Sequence, residues 1–259
     1  MQKTVDGTIC IFKRYEIKYL VSAEERAFLE ERIRRHMRPD AHGESTVRSV
    51  YFDTPDARIV RRSLEKPVYK EKLRTRAYRT AEETDGVFVE LKKKYRGVVY
   101  KRRIELPERT AEAYLLRREP LQSPCQISRE INAFFDFYPG LAPAMFLCYD
   151  RTAYFSGEDD ALRVTFDRSI RWRREELSLR VPPSGEPLLE EGQSLMEIKS
   201  GGAIPLWLTA ALTEARVFRT SFSKYGAAYT TVMQNEMKQR SAAPCPNPCL
   251  QASWIRQPA

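Results

Sequence analysis

Three short segments of this chain place a glutamate two residues before a lysine: Glu16-Ile17-Lys18, Glu90-Leu91-Lys92 and Glu197-Ile198-Lys199. In a strand, residues i and i+2 share a face. Each triplet therefore sets a carboxylate beside an ammonium, with an isoleucine or leucine on the reverse. The same spacing pairs Arg74 with Arg76 and Lys101 with Arg103, and aligns Arg163, Thr165 and Asp167. A fourth copy, Glu236-Met237-Lys238, falls in a helical pattern, where i and i+2 do not face each other. Rows of cations can neutralise linked phosphates, lysine as a point charge and arginine as a bidentate fork. Glutamates among them can hold a hard divalent ion that bridges phosphate oxygens.

The simpler account is a sheet with one wet face, decorated by cross-strand pairs worth less than ~1 kcal/mol each. Two features weigh against it. Arginines number 31 and lysines 13, yet lysine holds the strand positions 18, 92, 101 and 199. The reverse faces are also strongly apolar: Val87, Val89 and Leu91; Met196 and Ile198; Val50 and Phe52. Helices must cover those faces, so the charged face is expected to turn inward onto a cavity.

Alternation predicts eight strands, at 11–20, 46–53, 67–79, 86–95, 98–106, 144–151, 162–171 and 194–200. Arg96-Gly97 reads as the turn of a hairpin. Ser22 and Glu25 form a capping box opening a helix, and Pro107 opens a second. Further helices are expected at 58–66, 126–138, 204–217 and 224–238. The expected fold is α+β: an eight-stranded antiparallel β-barrel forming a tunnel, with helices packed on the outside. A lumen of cations would need water, carboxylates or a polyanion to be stable. Tyr15, Tyr19, Tyr51 and Phe52 read as packing residues, and Asp53 before Thr54-Pro55 as a strand-end turn residue.

With 259 residues, 31% charged and 42% hydrophobic, the chain can bury a sizeable core. One domain over residues 1–239 is expected, followed by a Pro/Ala-rich disordered tail at 240–259. The net charge of +9 points to an anionic partner. The basic residues alternate in strands and match no nucleic-acid motif, so nucleic acid is not expected to be that partner. Only His36 and His42 occur, which argues against a histidine triad or multi-histidine metal site. No apolar run approaches the ~20 residues of a membrane span, and the first residues lack a signal-peptide pattern. The five cysteines, Cys10, Cys125, Cys148, Cys245 and Cys249, are odd in number and irregular in spacing. These features suggest reduced thiols and a cytoplasmic protein.

Eight motifs in order resemble the VTC domain, the domain of the vacuolar transporter chaperone complex within the triphosphate tunnel metalloenzyme (CYTH-like) superfamily. They are the N-terminal Glu-x-Lys strand, "SVYFDT", "KLRTRAY", "FVELKKK", "YDRTAYF", "LRVTFDRSI", "LMEIKS" and "SFSKYG". The resemblance covers roughly residues 9–230. It implies a metal-dependent polyphosphate polymerase that moves the γ-phosphate of ATP onto a growing polyphosphate chain inside a basic tunnel. It implies that Lys18, Arg74, Arg76, Lys92, Lys101, Arg151, Arg163, Lys199 and Lys224 line the tunnel and hold phosphates. Arg14 and Arg103 would be secondary phosphate ligands. Glu197 would be the main ligand of Mn2+ or Mg2+, with Glu16 and Glu90 as lesser candidates.

Two departures stand out. The superfamily pattern Glu-x-Glu-x-Lys has become Arg14-x-Glu16-x-Lys18, which removes a carboxylate and leans toward chain binding. Ser221 stands where related polymerases tend to carry a second lysine. The phosphate-sensing domain and membrane spans of the eukaryotic complexes are absent from the sequence, so membrane coupling would need a separate partner. Two other readings stay open: a triphosphatase or nucleoside triphosphatase of the same fold, and a non-catalytic module that binds polyphosphate or nucleotide. The oligomeric state is not set by the sequence.

Overall fold

The computed structural model describes residues 4–5, 8–9, 11–12, 15–157 and 162–242. Three two-residue strands come first: β1 (Thr4–Val5), β2 (Thr8–Ile9) and β3 (Ile11–Phe12). Then follow β4 (Tyr15–Val21), α1 (Ala23–Arg34), β5 (Arg38–Asp53), α2 (Arg58–Leu64) and β6 (Tyr69–Ala77). The middle of the chain holds β7 (Gly86–Tyr95), β8 (Val98–Pro107), α3 (Glu108–Leu116) and α4 (Gln126–Phe137). The last part comprises β9 (Ala142–Phe155), β10 (Arg163–Arg173), β11 (Glu186–Pro187), β12 (Ser194–Ser200), α5 (Leu206–Glu214), β13 (Arg219–Thr220) and α6 (Lys224–Ala242).

All eight expected strands are present. The largest difference is β5, which begins at Arg38 rather than residue 46. Its first half contains Pro39 and Gly43, which disguise it, and it pairs with β9 across a register shift between Pro39 and Glu44. The β7–β8 turn is made by Arg96 and Gly97, with φ of 46° and 84°. Both positive values fit a type I′ hairpin, whose twist matches the flanking strands. Ser22 and Glu25 close the expected capping box on α1. Pro107 is the N-cap of α3, one position before the expected first turn.

Eleven strands form one sheet with the order β13-β4-β12-β10-β9-β5-β6-β7-β8-β3, and β11 pairs beside β10. Its pairings are antiparallel. The expected closed eight-stranded barrel is thus corrected to an open path of eleven strands. Among the described residues no ladder joins its two ends. The sheet nevertheless curls strongly, because Lys92 on β7 reaches Glu16 on β4 at 3.0 Å although five strands lie between them in the path.

Three apolar clusters hold this shape. Val87, Val89, Leu91, Val50 and Phe52 pack under α3 and α4 with Tyr114, Ile131 and Phe134. Met196 and Ile198 pack under α1 and α5 with Leu29, Ile33 and Leu208. Burying each such side chain contributes about 1.5–3 kcal/mol. The third cluster lies on the opposite, charge-bearing face of the sheet. There Val47, Met145, Leu147, Trp172 and Leu195 pack against Tyr225, Ala228 and Val232 of α6. Helices were expected on the outside alone, and α6 corrects that expectation. The inner face is divided: one end is apolar and covered by α6, and the other carries the charges. Helix α6 runs to Ala242, past the expected boundary at 239, and residues 243–259 lie outside the described residues.

Candidate functional site: a basic cavity

The charged part of the inner face encloses a cavity of about 1840 Å³. Seventeen lysines and arginines line it against five carboxylates. Lys18, Arg74, Arg76, Lys92, Lys101, Arg103, Arg151, Arg163, Lys199 and Lys224 all reach its wall, together with Glu16 and Glu197. Arg14 lies outside the described residues.

Four carboxylates organise the cations. Glu90 is 1% exposed. It accepts from Arg74 at 2.7 and 2.9 Å and from Arg103 at 2.9 Å, and pairs with Lys101 at 2.6 Å. Burial pushes its carboxyl up, but Arg74, Arg76 and Lys101 outweigh burial and hold it far below the usual range. Both oxygens are engaged by cations, and Glu90, unlike Glu16 and Glu197, does not itself reach the cavity wall, so it fits the role of a counter-charge behind that wall.

Glu197 pairs with Lys18 at 3.1 Å, Lys224 at 3.4 Å, Lys199 at 3.5 Å and Arg151 at 3.8 Å. Here too burial is overcome, by Lys224, Lys18, Lys199 and Arg151, and the carboxyl stays ionised. Asp167, fully buried behind it, accepts two hydrogen bonds from Arg151, at 2.6 and 2.7 Å, and an ion pair from Lys224. Glu16 completes the set beside Lys92; despite burial, Lys92 and Lys199 hold its carboxyl down to about 2.

The lysines carry the opposite strain. Burial pushes Lys199 and Lys101 down to about 8 even though Glu197 and Glu90 oppose it. Lys72 also falls to about 8, through burial and then Lys18, Lys70 and Lys92. Its ammonium donates to Ser223 Oγ at 2.8 Å, while Lys18 donates to the Phe222 carbonyl at 2.9 Å. The loop preceding α6 thus closes one side of the site. Arg76 donates to Ser49 and to the Tyr149 hydroxyl, and Arg74 to the Tyr51 hydroxyl. Burial raises the Tyr51 phenol, but Arg74, Lys72 and Arg76 bring it down to about 8.

Lys72, Tyr51, Tyr149, Asp167 and Ser223 escaped the sequence reading as site residues. Lys72 shares the i, i+2 face of Arg74 and Arg76, so alternation alone could have found it. Tyr51 was read as packing, and it does pack, on Tyr225 at 4.8 Å between centroids; its hydroxyl faces the cavity cations as well. Asp53 is a turn residue as expected: it accepts from the amides of Thr54, Ile59 and Val60 and from the Tyr225 hydroxyl.

No cluster of three or more metal-binding side chains occurs among the described residues. Mg2+ and its like take one or two carboxylates and complete their shell with phosphate and water. Glu197 and Glu16 reach the wall from paired strands, Glu197 opposite Lys18 and Glu16 opposite Lys199, and each carboxylate is engaged by cations.

The VTC domain family model matches residues 13–233. The chain belongs to the VTC domain family. Among solved structures, this VTC domain is similar to a candidate adenylate cyclase from Bacillus halodurans, at 15% identity and TM-score 0.50, covering 82% of this chain and 96% of that one. A candidate adenylyl cyclase from Hippeastrum, described as having a dominant triphosphatase activity, matches at 13% identity and TM-score 0.49 over 84% of this chain and 95% of that one. At 15% identity the likeness to the Bacillus halodurans structure speaks for the fold alone. No curated protein sequence matches. Among the described residues, no helix is long and apolar enough to cross a membrane.

Proposed function

We propose that this VTC domain is a metal-dependent polyphosphate polymerase that transfers the γ-phosphate of ATP to the end of a polyphosphate chain. The observation that carries this reading is the cavity itself: among the described residues, seventeen cations from nine strands, a helix and their loops on one wall. Such a wall suits a long linear polyanion. Phosphoryl transfer asks mainly for positioning and charge neutralisation. Arg74, Arg76 and Arg151 offer forks to non-bridging oxygens, and Lys18, Lys199 and Lys224 supply point charges next to Glu197. The attacking terminal phosphate oxygen is already an anion at neutral pH, so no strong general base is needed. Glu197 with Glu16 would hold a bound Mn2+ or Mg2+, which would supply further neutralisation of phosphate charge.

The test is incubation of the purified chain with ATP and Mn2+, followed by gel analysis. Long-chain polyphosphate is expected, and Glu197→Ala combined with Arg76→Ala should abolish it. Orthophosphate without chain growth would select a triphosphatase instead. Metal-independent binding with no product would select a binding module.

A further inference from the structure

The cavity cations are not equally compensated. Around Glu90, Glu197 and Asp167 every cation has a carboxylate partner. Along the first half of β6 the pattern is different. Lys70 lies directly opposite Lys94 on β7, and Lys72 directly opposite Lys92. Like charges facing each other across a ladder are destabilising. Lys92 finds Glu16, but Lys72 finds a hydroxyl and the face of Tyr225, and no carboxylate among the described residues. Lys70 and Lys94 show no carboxylate within ion-pair distance among the described residues. The next rows, Arg74 opposite Glu90 and Arg76 opposite Phe88, are where the compensated centre begins.

We propose that Lys70 and Lys94, at the head of this ladder, form a subsite for the distal part of a phosphate chain, beyond the groups held at the carboxylate-rich centre. The inference rests on the polyanion reading of the cavity and adds where a long chain is told apart from a short one. Alternate residues on one strand face lie about 6.8 Å apart, so the row from Lys70 to Arg76 extends about 20 Å. That is longer than three linked phosphates. A triphosphate seated at Arg74 and Arg76 leaves the Lys70–Lys94 row empty, and a longer chain fills it. The unneutralised Lys70–Lys94 row is retained at a cost to the ligand-free fold, and relief of that cost accompanies binding of the longer anion.

The experiment compares inorganic tripolyphosphate with long-chain inorganic polyphosphate, by calorimetry at fixed ionic strength without nucleotide. The proteins are the full chain and its Lys70→Gln/Lys94→Gln variant. Expected is a loss of at least about fivefold in long-chain affinity, with tripolyphosphate affinity changed by less than about twofold. Equal losses for both ligands, or no loss for the long chain, overturn the subsite. A wild-type protein that binds neither anion overturns the polyanion reading itself, a distinct result. The variant's ligand-free melting temperature provides a folding control: it should equal or exceed that of the wild type, because the substitution removes repulsion, and a clear drop would contradict the uncompensated state assigned to these lysines.

Discussion

Glu90 sits where three cations converge, yet nothing in its surroundings leaves it an oxygen for a ligand. Glu90→Gln should therefore act on the fold first. Removing one partner of a buried ionic network costs about 3–5 kcal/mol, to be read from urea unfolding. The pH dependence follows from the lowered carboxyl. A group more acidic in the folded state stabilises fully above its unfolded pKa and loses that contribution as pH falls below it. The wild type should thus lose stability below about pH 4.5, and Glu90→Gln should flatten that acid limb. Lys72 gives the converse at alkaline pH. It is charged below about 8 in the empty cavity, and an arriving phosphate favours the charged form. Tripolyphosphate affinity should fall as pH rises past 8, with proton uptake on binding visible as a buffer-dependent heat. Lys72→Met should weaken binding at pH 7 and reduce that uptake.

At the scale of elements, α6 and α2 are locked to the sheet by one carboxylate. Asp53 ends β5, accepts from two amides of α2, and takes the hydroxyl of Tyr225 on α6. Asp53→Ala should destabilise by about 2–4 kcal/mol, through the lost cap and the orphaned buried donors. Tyr225→Phe should cost about 1 kcal/mol. Chemical denaturation of the two single variants and the double variant would measure their coupling, and additive effects would contradict the shared hydrogen bond. This junction also marks the limit of the sequence reading. Strands such as Ser194–Ser200 were legible because alternation of Met196 and Ile198 with Glu197 and Lys199 reports directly on two faces. The first half of β5 was not, since Pro39 and Gly43 argue locally against a strand that tertiary pairing with β9 imposes. The place of α6 was hidden for another reason: its apolar residues call for a partner surface, but nothing in their spacing says which face of the sheet supplies it. Most of the cavity wall could be read from alternation and family resemblance together. Lys72 and Asp167 were set on the right faces and went unassigned because their importance lies in partners distant in sequence.

For the whole molecule, the cavity concentrates cations inside a chain whose net charge is already +9. An anion that binds the folded state alone stabilises it by mass action, by about 2.7 kcal/mol at 100 times its dissociation constant. Tripolyphosphate at that excess should raise the melting temperature by roughly 5–10 °C. The shift should shrink when salt is raised from about 0.05 to about 0.5 M, as the Debye length shortens.

The carboxylates behind that wall also govern how the domain behaves with nothing bound. Glu90, Glu197 and Asp167 act as tethered counter-ions, three fixed carboxylates shared among eight cations. A resin whose counter-ions are part of its own polymer cannot be stripped by dialysis. The centre of the cavity should accordingly keep its shape in deionised solution, and an incoming phosphate there displaces the protein's own carboxylates from lysine and arginine instead of ions drawn from the buffer.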